Sequence, residues 1–344
     1  MTDAATACHL ALAEFFSRHP RVLHWGVAPA RPTPRADLLR DWVEKGRHGN
    51  MDYMARRLRE RMDPRSLHAW AESVVVFSFA YAAPLGAGAS PYRVAAYARG
   101  ADYHGECKAI LAGAETFLGN VLPSGPPRFY GFVDTAPVFE RDLASEAGLG
   151  WRAKNCCTLS REHGSGFHLA GFFLDLPLPA SPPVEDFCGG CTRCLDQCPT
   201  QAFTGPGQLD ATKCISYWTI EAKGALPGNL SDRFGGWIFG CDVCQEVCPW
   251  NRKHLVREAS EAPQWPTDGI GWLNLLRKQG GFRSRFRKSP LSRAGRRSLL
   301  RNLAVAARNL KDTSLLEPLR EALPGETDPD LREEMQKAIT ALGG

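Results

Sequence analysis

The 344-residue sequence has no stretch approaching the ~20 apolar residues of a membrane helix, and its start, MTDAATACHL, lacks the basic flank and long apolar core of a secretory signal. Neither a membrane protein nor an exported, disulfide-stapled one is expected. Nucleotide signatures are missing as well. There is no G-x-G-x-x-G after a strand and no Walker loop, and the glycines of PLGAGASP (84–91) lack the spacing, so a nicotinamide or nucleotide site is not expected. Two absences are local: no histidine lies between Cys188 and Cys248, and no Asp or Glu between Gly269 and Lys311.

The first local absence frames what is abundant. Eight of the twelve cysteines fall between Cys188 and Cys248, as CGGCTRCLDQCP, a solitary Cys214, and CDVCQEVCP. The first run has the C-x2-C-x2-C-x3-C-P spacing in which three thiolates grip one [4Fe–4S] cubane and the fourth crosses to the other. By that crossed logic Cys188, Cys191, Cys194 and Cys248 hold one cluster, and Cys198, Cys214, Cys241 and Cys244 the second. Structural zinc prefers two separated pairs, often with histidine, and fits poorly. Cys8, Cys107, Cys156 and Cys157 read as small core hydrophobes, which implies a reducing cytoplasm.

A two-cluster fold needs only about 60–80 residues, so most of this chain serves another purpose. With 44% hydrophobic residues it can build two or three cores. Net charge is +5, yet twelve Lys or Arg sit in the acid-free stretch Gly269 to Lys311, leaving 30 basic against 37 acidic residues elsewhere. A one-sign stretch of this kind suits a phosphate-binding face, the alternative being a solvated helix surface.

An α+β architecture in three parts is expected. Residues 1–176 form an α/β domain, with helices over ACHLALAEFF, DLLRDWVEKG and YHGECKAILAGAETFLGNVL and strands over SVVVFSFAY, RFYGFVD and GFHLAGFFLDL; PVFERDLASEAGLG reads as a helix opened by Pro137. Proline-rich residues 177–183 form a semi-rigid spacer to a ferredoxin-like domain over 184–255. From 256 to 344 the chain is helical. Stripes at Leu315, Leu316, Leu319, Leu323 and at Leu331, Met335, Ile339, Leu342 make a helix pair similar to one HEAT unit.

PRFYGFVDTAPVFERDLASEAGLGWRAKN, GFFLDLPLP, CGGCTRCLDQCPTQAF, DATKCISYWTIEAKGALP and GWIFGCDVCQEVCPWN together resemble the epoxyqueuosine reductases. The resemblance runs from about Gly49 to Asn309. It implies a cobalamin-dependent enzyme with two [4Fe–4S] clusters that reduces epoxyqueuosine to queuosine at the wobble base of transfer RNA, taking two electrons and two protons and releasing water. An external donor such as a flavodoxin or ferredoxin would supply the electrons, and the enzyme is expected to be a cytoplasmic monomer. Asp134 matches the family's proton donor, and its apolar flanks in FVDTAPVF would keep it protonated; without the resemblance it reads as a helix N-cap ahead of Pro137.

By the same resemblance, Arg57, Tyr97, Asp102, His104, Lys154, Thr158, Ser216 and Asp242 fall at or near the cobalamin pocket, with Asp134. DYHGEC lacks the glycine of the D-x-H-x-x-G that places a histidine on cobalt, which agrees with a cobalamin that needs no protein histidine. SPLSRAGRRSLLRNLAVAARN resembles the family's anticodon stem-loop contact, with Ser289, Arg293, Gly295, Arg301 and Asn302 at matching positions and Arg296 and Arg297 beside them. The chain departs from the family pattern at Arg152, at Ala153, where a glycine is usual before the lysine, and at Pro290. Two other readings stay open: a corrinoid reductase of a small molecule, similar to a reductive dehalogenase, and a non-catalytic iron–sulfur electron-transfer module.

Overall fold

The computed structural model describes residues 3–86, 90–122, 125–254, 265–277 and 279–343. They form two compact units that interleave along the chain. The first comprises Met1–Tyr81, Tyr103–Thr192 and Pro206–Gln208; the second comprises Ala82–Asp102, Arg193–Gly205 and Leu209–Gly344.

The first unit is built on a four-stranded antiparallel sheet in the order Val22–Pro29, Ser73–Ala80, Phe167–Leu174, Phe129–Phe132. All eight residues of Ser73–Ala80 are buried. Side-chain alternation sends Val75, Phe77 and Phe79 into a core with the helices Asp3–Ser17 and Tyr103–Val121, and sends Val74 and Val76 into a second core with Leu143 and Ala144 of the helix Glu140–Glu146. Both faces are covered, which is why SVVVFSFA reads as a continuous apolar run instead of an alternating one.

The strand Val22–Pro29 carries no such signal. Its burial is mixed and its register shifts between Val22 and His24. It lies at the sheet edge, where a terminal proline is tolerated. Its open side is filled by the proline-rich segment: the Ser181 N–H donates to the Val27 carbonyl at 2.9 Å, and the Val27 N–H donates to Ser181 Oγ at 3.0 Å. Residues 177–183 are thus laid along the sheet rather than held off as a spacer. Gly26 permits the approach, since a Cβ there would stand 2.9 Å from Ser181 Oγ and 2.0 Å from the Ala147 carbonyl oxygen.

In the second unit Arg93–Val94 pairs in parallel with Trp237–Phe239. Tyr92, Val94 and Ala98 then join one core with Ile220, Ile238 and Phe239 and with residues of the helices Gly269–Arg277, Gly295–Leu310 and Pro329–Gly343. The three successive domains expected from the sequence are corrected in this respect. Residues 82–102 leave the N-terminal unit because their apolar side chains are buried here, and the cluster region and the helical region share a single core. The expected boundary between residues 255 and 256 lies outside the described residues. Leu315, Leu319, Leu331, Met335, Ile339 and Leu342 are buried, as their spacing predicts. Among the described residues no helix is long and apolar enough to cross a membrane.

Candidate active site and cluster centre

In the first unit the strand Phe129–Phe132 delivers the chain to Asp134, which takes a left-handed backbone with φ of 51°. Few side chains accept that conformation, Asp and Asn being the most tolerant. The Asp134 N–H donates to Glu140 Oε1 at 2.7 Å, and Asp134 Oδ2 lies 3.5 Å from His104 Nε2. His104 opens the helix Tyr103–Val121, where the Tyr103 ring stacks on it at 4.3 Å and on His168 at 3.6 Å. Burial holds the His168 imidazole well below its ordinary pKa, so this end of the stack is neutral.

Two expectations change here. The helix expected to open at Pro137 begins at Glu140, with Phe139 as a cap that supplies no side-chain bond, so Asp134 is not its N-cap. The Asp134 side chain is also 39% exposed instead of enclosed among apolar groups. The desolvated carboxyl is that of half-buried Glu140, pushed up to about 8 by burial first and then by the Asp134 charge. The sequence reading did not single out Glu140. Its signal was an acid in a helix's first turn six residues after the aspartate, placed to reach back to a free N–H.

The departures at Arg152 and Ala153 are accommodated. Arg152 Nη1 lies 3.1 Å from Asp142 Oδ1, a buried carboxylate that also accepts from Thr33 Oγ1 at 2.5 Å, and Ala153 is buried. Lys154 Nζ donates to the carbonyls of Gly189 at 2.6 Å and Cys191 at 3.0 Å, so this lysine fastens the first cysteine loop. Trp151 Nε1–H donates to Cys188 Sγ at 3.3 Å. The Thr158 hydroxyl is buried without a protein partner among the described residues. Arg57 is exposed and pairs with Glu60 at 2.6 Å.

Six of the eight motif cysteines belong to the second unit. Burial raises the Cys241 thiol pKa well above its ordinary value, and the charges of Cys214, Asp242 and Cys198 raise it further. The Ala202 N–H donates to Cys198 Sγ at 3.3 Å. Such N–H···S contacts stabilise thiolate charge and tune cluster potential. None of the twelve cysteines is in a disulfide; Cys8 and Cys107 are fully buried in the first unit's core, and burial pushes the Cys8 thiol up to about 11.

Asp242 is buried and accepts the Ala96 N–H at 2.6 Å and the Gln245 amide at 2.9 Å. Desolvation raises its carboxyl to about 6. It thereby fixes the segment that carries half-buried Tyr97. Gly240 sits beside that segment at φ of 68°, where a Cβ would meet the Ala95 methyl at 2.5 Å. Asp102 donates its N–H to the Lys288 carbonyl at 2.9 Å, and Ser216 is half-buried.

The basic stretch divides by burial. Arg301 is 3% exposed, and its guanidinium donates to the carbonyls of Trp218, Gly224 and Ala222 at 2.6, 2.7 and 3.3 Å; Asn302 is likewise buried on the Thr219 and Ile238 carbonyls. Ser289 is buried and caps the turn Pro290–Arg293. Ser289, Arg301 and Asn302 therefore hold the fold together and cannot meet a nucleic acid directly. Arg293 and Arg297 remain exposed, and half-buried Arg296 donates to the Leu276 carbonyl at 2.6 Å. With Lys223, Gly295 and Ser298, Arg296 and Arg297 line an open cavity of about 460 Å³.

Residues 187–251 match the family described as 4Fe-4S double cluster binding domain, and residues 61–135 match epoxyqueuosine reductase QueG, DUF1730. The epoxyqueuosine reductase of Pseudomonas aeruginosa is 41% identical over 321 residues, covering 89% of this chain and 86% of that protein. That of Escherichia coli is 38% identical over 312 residues, covering 88% and 81%. The solved Bacillus subtilis epoxyqueuosine reductase, with its catalytic aspartate loop swung out of the active site, superposes with a TM-score of 0.85 at 29% identity, covering 98% of this chain and 91% of that one. A second solved epoxyqueuosine reductase, bound to an epoxyqueuosine-modified tRNA-Tyr stem loop, gives 0.77 at 28% identity, covering 98% and 100%. The chain is an iron–sulfur oxidoreductase and belongs to the epoxyqueuosine reductase family.

Proposed function

We propose that this enzyme reduces epoxyqueuosine to queuosine at the wobble position of a tRNA anticodon loop, in the cytoplasm and as a monomer. The observation that carries the reading is the family match along most of the chain, in a protein that also keeps all eight motif thiolates and an aspartate on a short loop. Cys188, Cys191, Cys194 and Cys248 hold one [4Fe–4S] cluster, and Cys198, Cys214, Cys241 and Cys244 hold the other. The donor set fits: the cysteines are all unbridged, and backbone and indole N–H groups already point at two of the sulfurs.

Cobalamin also fits. The buried Thr158 hydroxyl lacks a protein partner among the described residues, and Asp242 holds the Tyr97 segment in place. Lys154 acts through the cysteine loop it fastens, and Arg57, Asp102, His104 and Ser216 are further proposed cobalamin residues on the family resemblance. When bound, the clusters and the corrinoid supply low-potential electrons, received from a flavodoxin- or ferredoxin-like donor. Two electrons and two protons convert the epoxide to an alkene and release its oxygen as water. The chain's own part is to deliver a proton to that leaving oxygen, and Asp134, beside His104, is the group that does so.

The RNA backbone is met by Arg293, Arg296 and Arg297, and the modified base leaves its stack to reach the reaction site. Titrating an anticodon stem-loop at several salt concentrations tests this. The Arg296→Ala, Arg297→Ala double variant should bind more weakly and lose roughly 0.7–0.9 from the log–log salt slope for each lost phosphate contact. Arg301→Ala should instead lower the melting temperature, because each charged hydrogen bond it makes to a buried carbonyl is worth about 1.5–3 kcal/mol. Equal slopes in wild type and double variant would make this face a solvated surface.

A further inference from the structure

We propose that Glu140 is a positioning residue that holds the Asp134 loop in the orientation from which the aspartate acts, an inference that rests on Asp134 being the proton donor. Within the loop the Thr135 N–H meets the Val133 carbonyl at 2.5 Å, and the Val138 N–H meets the Ala136 carbonyl at 2.8 Å. Val138 and Ala136 pack in the sheet-side core, and Glu140 adds a polar tie. It opens a helix whose Leu143 and Ala144 are buried against the sheet residues Val74 and Val76, and from that anchored position its Oε1 accepts the Asp134 N–H at 2.7 Å. The bond is made to the backbone of a residue in a left-handed conformation, which needs such support to persist.

The charged groups acting on Glu140 are Asp134, Arg141, His104 and Arg61. Below a pH of about 8 the desolvated Glu140 carboxyl is neutral. It still offers a carbonyl oxygen to the N–H. Glutamine reproduces that neutral state, whereas alanine removes the acceptor. In the cluster-loaded enzyme near pH 7, Glu140→Ala should speed hydrogen exchange across residues 133–139 about tenfold, the loss of one hydrogen bond. Its kcat should fall by a similar factor at unchanged KM for an anticodon stem-loop, and Glu140→Gln should restore both to wild-type values with the same iron content. Should the alanine variant not fold, Glu140→Leu fills the space without an acceptor and serves in its place. Unchanged exchange at 133–139, or faster exchange spread through 140–146 and the sheet, would overturn the proposal. Failure of Asp134 as donor would show separately, as full turnover in Asp134→Asn, because the exchange signature is read without turnover.

Discussion

Asp134→Asn is expected to lower turnover by about 10²- to 10⁴-fold while iron content, cobalamin binding and affinity for the stem-loop stay at wild-type values. Asparagine is the informative replacement here. It tolerates the left-handed backbone that Asp134 adopts, and its own N–H can still be received by Glu140, so the loop is preserved while the transferable proton is lost. The comparison is anaerobic single turnover with a modified stem-loop, alongside iron and corrinoid content. If residual activity instead tracks cofactor content, Asp134 supports the site and the proton comes from elsewhere.

Cys191→Ala should have the other large effect. Wild-type protein reconstituted without oxygen should hold about eight irons and eight sulfides, and this variant about four of each with no detectable turnover, since a cubane rarely survives the loss of a thiolate corner. The Cys191 carbonyl is one of the two that Lys154 grips, so its loop is already ordered by protein contacts and the variant should stay folded. Cys157→Ala should keep both clusters. Iron counting together with electron paramagnetic resonance of the reduced proteins distinguishes these outcomes. An iron content that Cys191→Ala leaves unchanged would remove Cys191 from the ligand set.

Parts of this protein are legible from local pattern alone. Ser73–Ala80 and Phe167–Leu174 announce themselves as apolar runs because both faces of the sheet are covered. Val22–Pro29 does not, because it is an edge strand completed by Ser181. The pairing of Arg93–Val94 with Trp237–Phe239 could not be read either: a two-residue strand has no period, and its partner lies far downstream. The double-cluster domain is legible because cluster chemistry fixes the spacing of its cysteines. The helix Gly295–Leu310 misleads for a different reason. Residues Ser298 to Ala307 are all buried, so this is a central helix, and Arg301 is an interior cation satisfied by carbonyls that local sequence cannot bring into view. Glu140 was missed because its effect depends on the loop geometry that returns Asp134 to the helix start.

The central claim is tested most directly by supplying the cluster-reconstituted, cobalamin-loaded protein and a low-potential reductant to an anticodon stem-loop containing epoxyqueuosine, and weighing the nucleoside released by digestion. The expected result is loss of one oxygen atom to give queuosine, only when clusters, cobalamin and reductant are all present. Recovery of unchanged epoxyqueuosine from protein that demonstrably holds both clusters and cobalamin would contradict it.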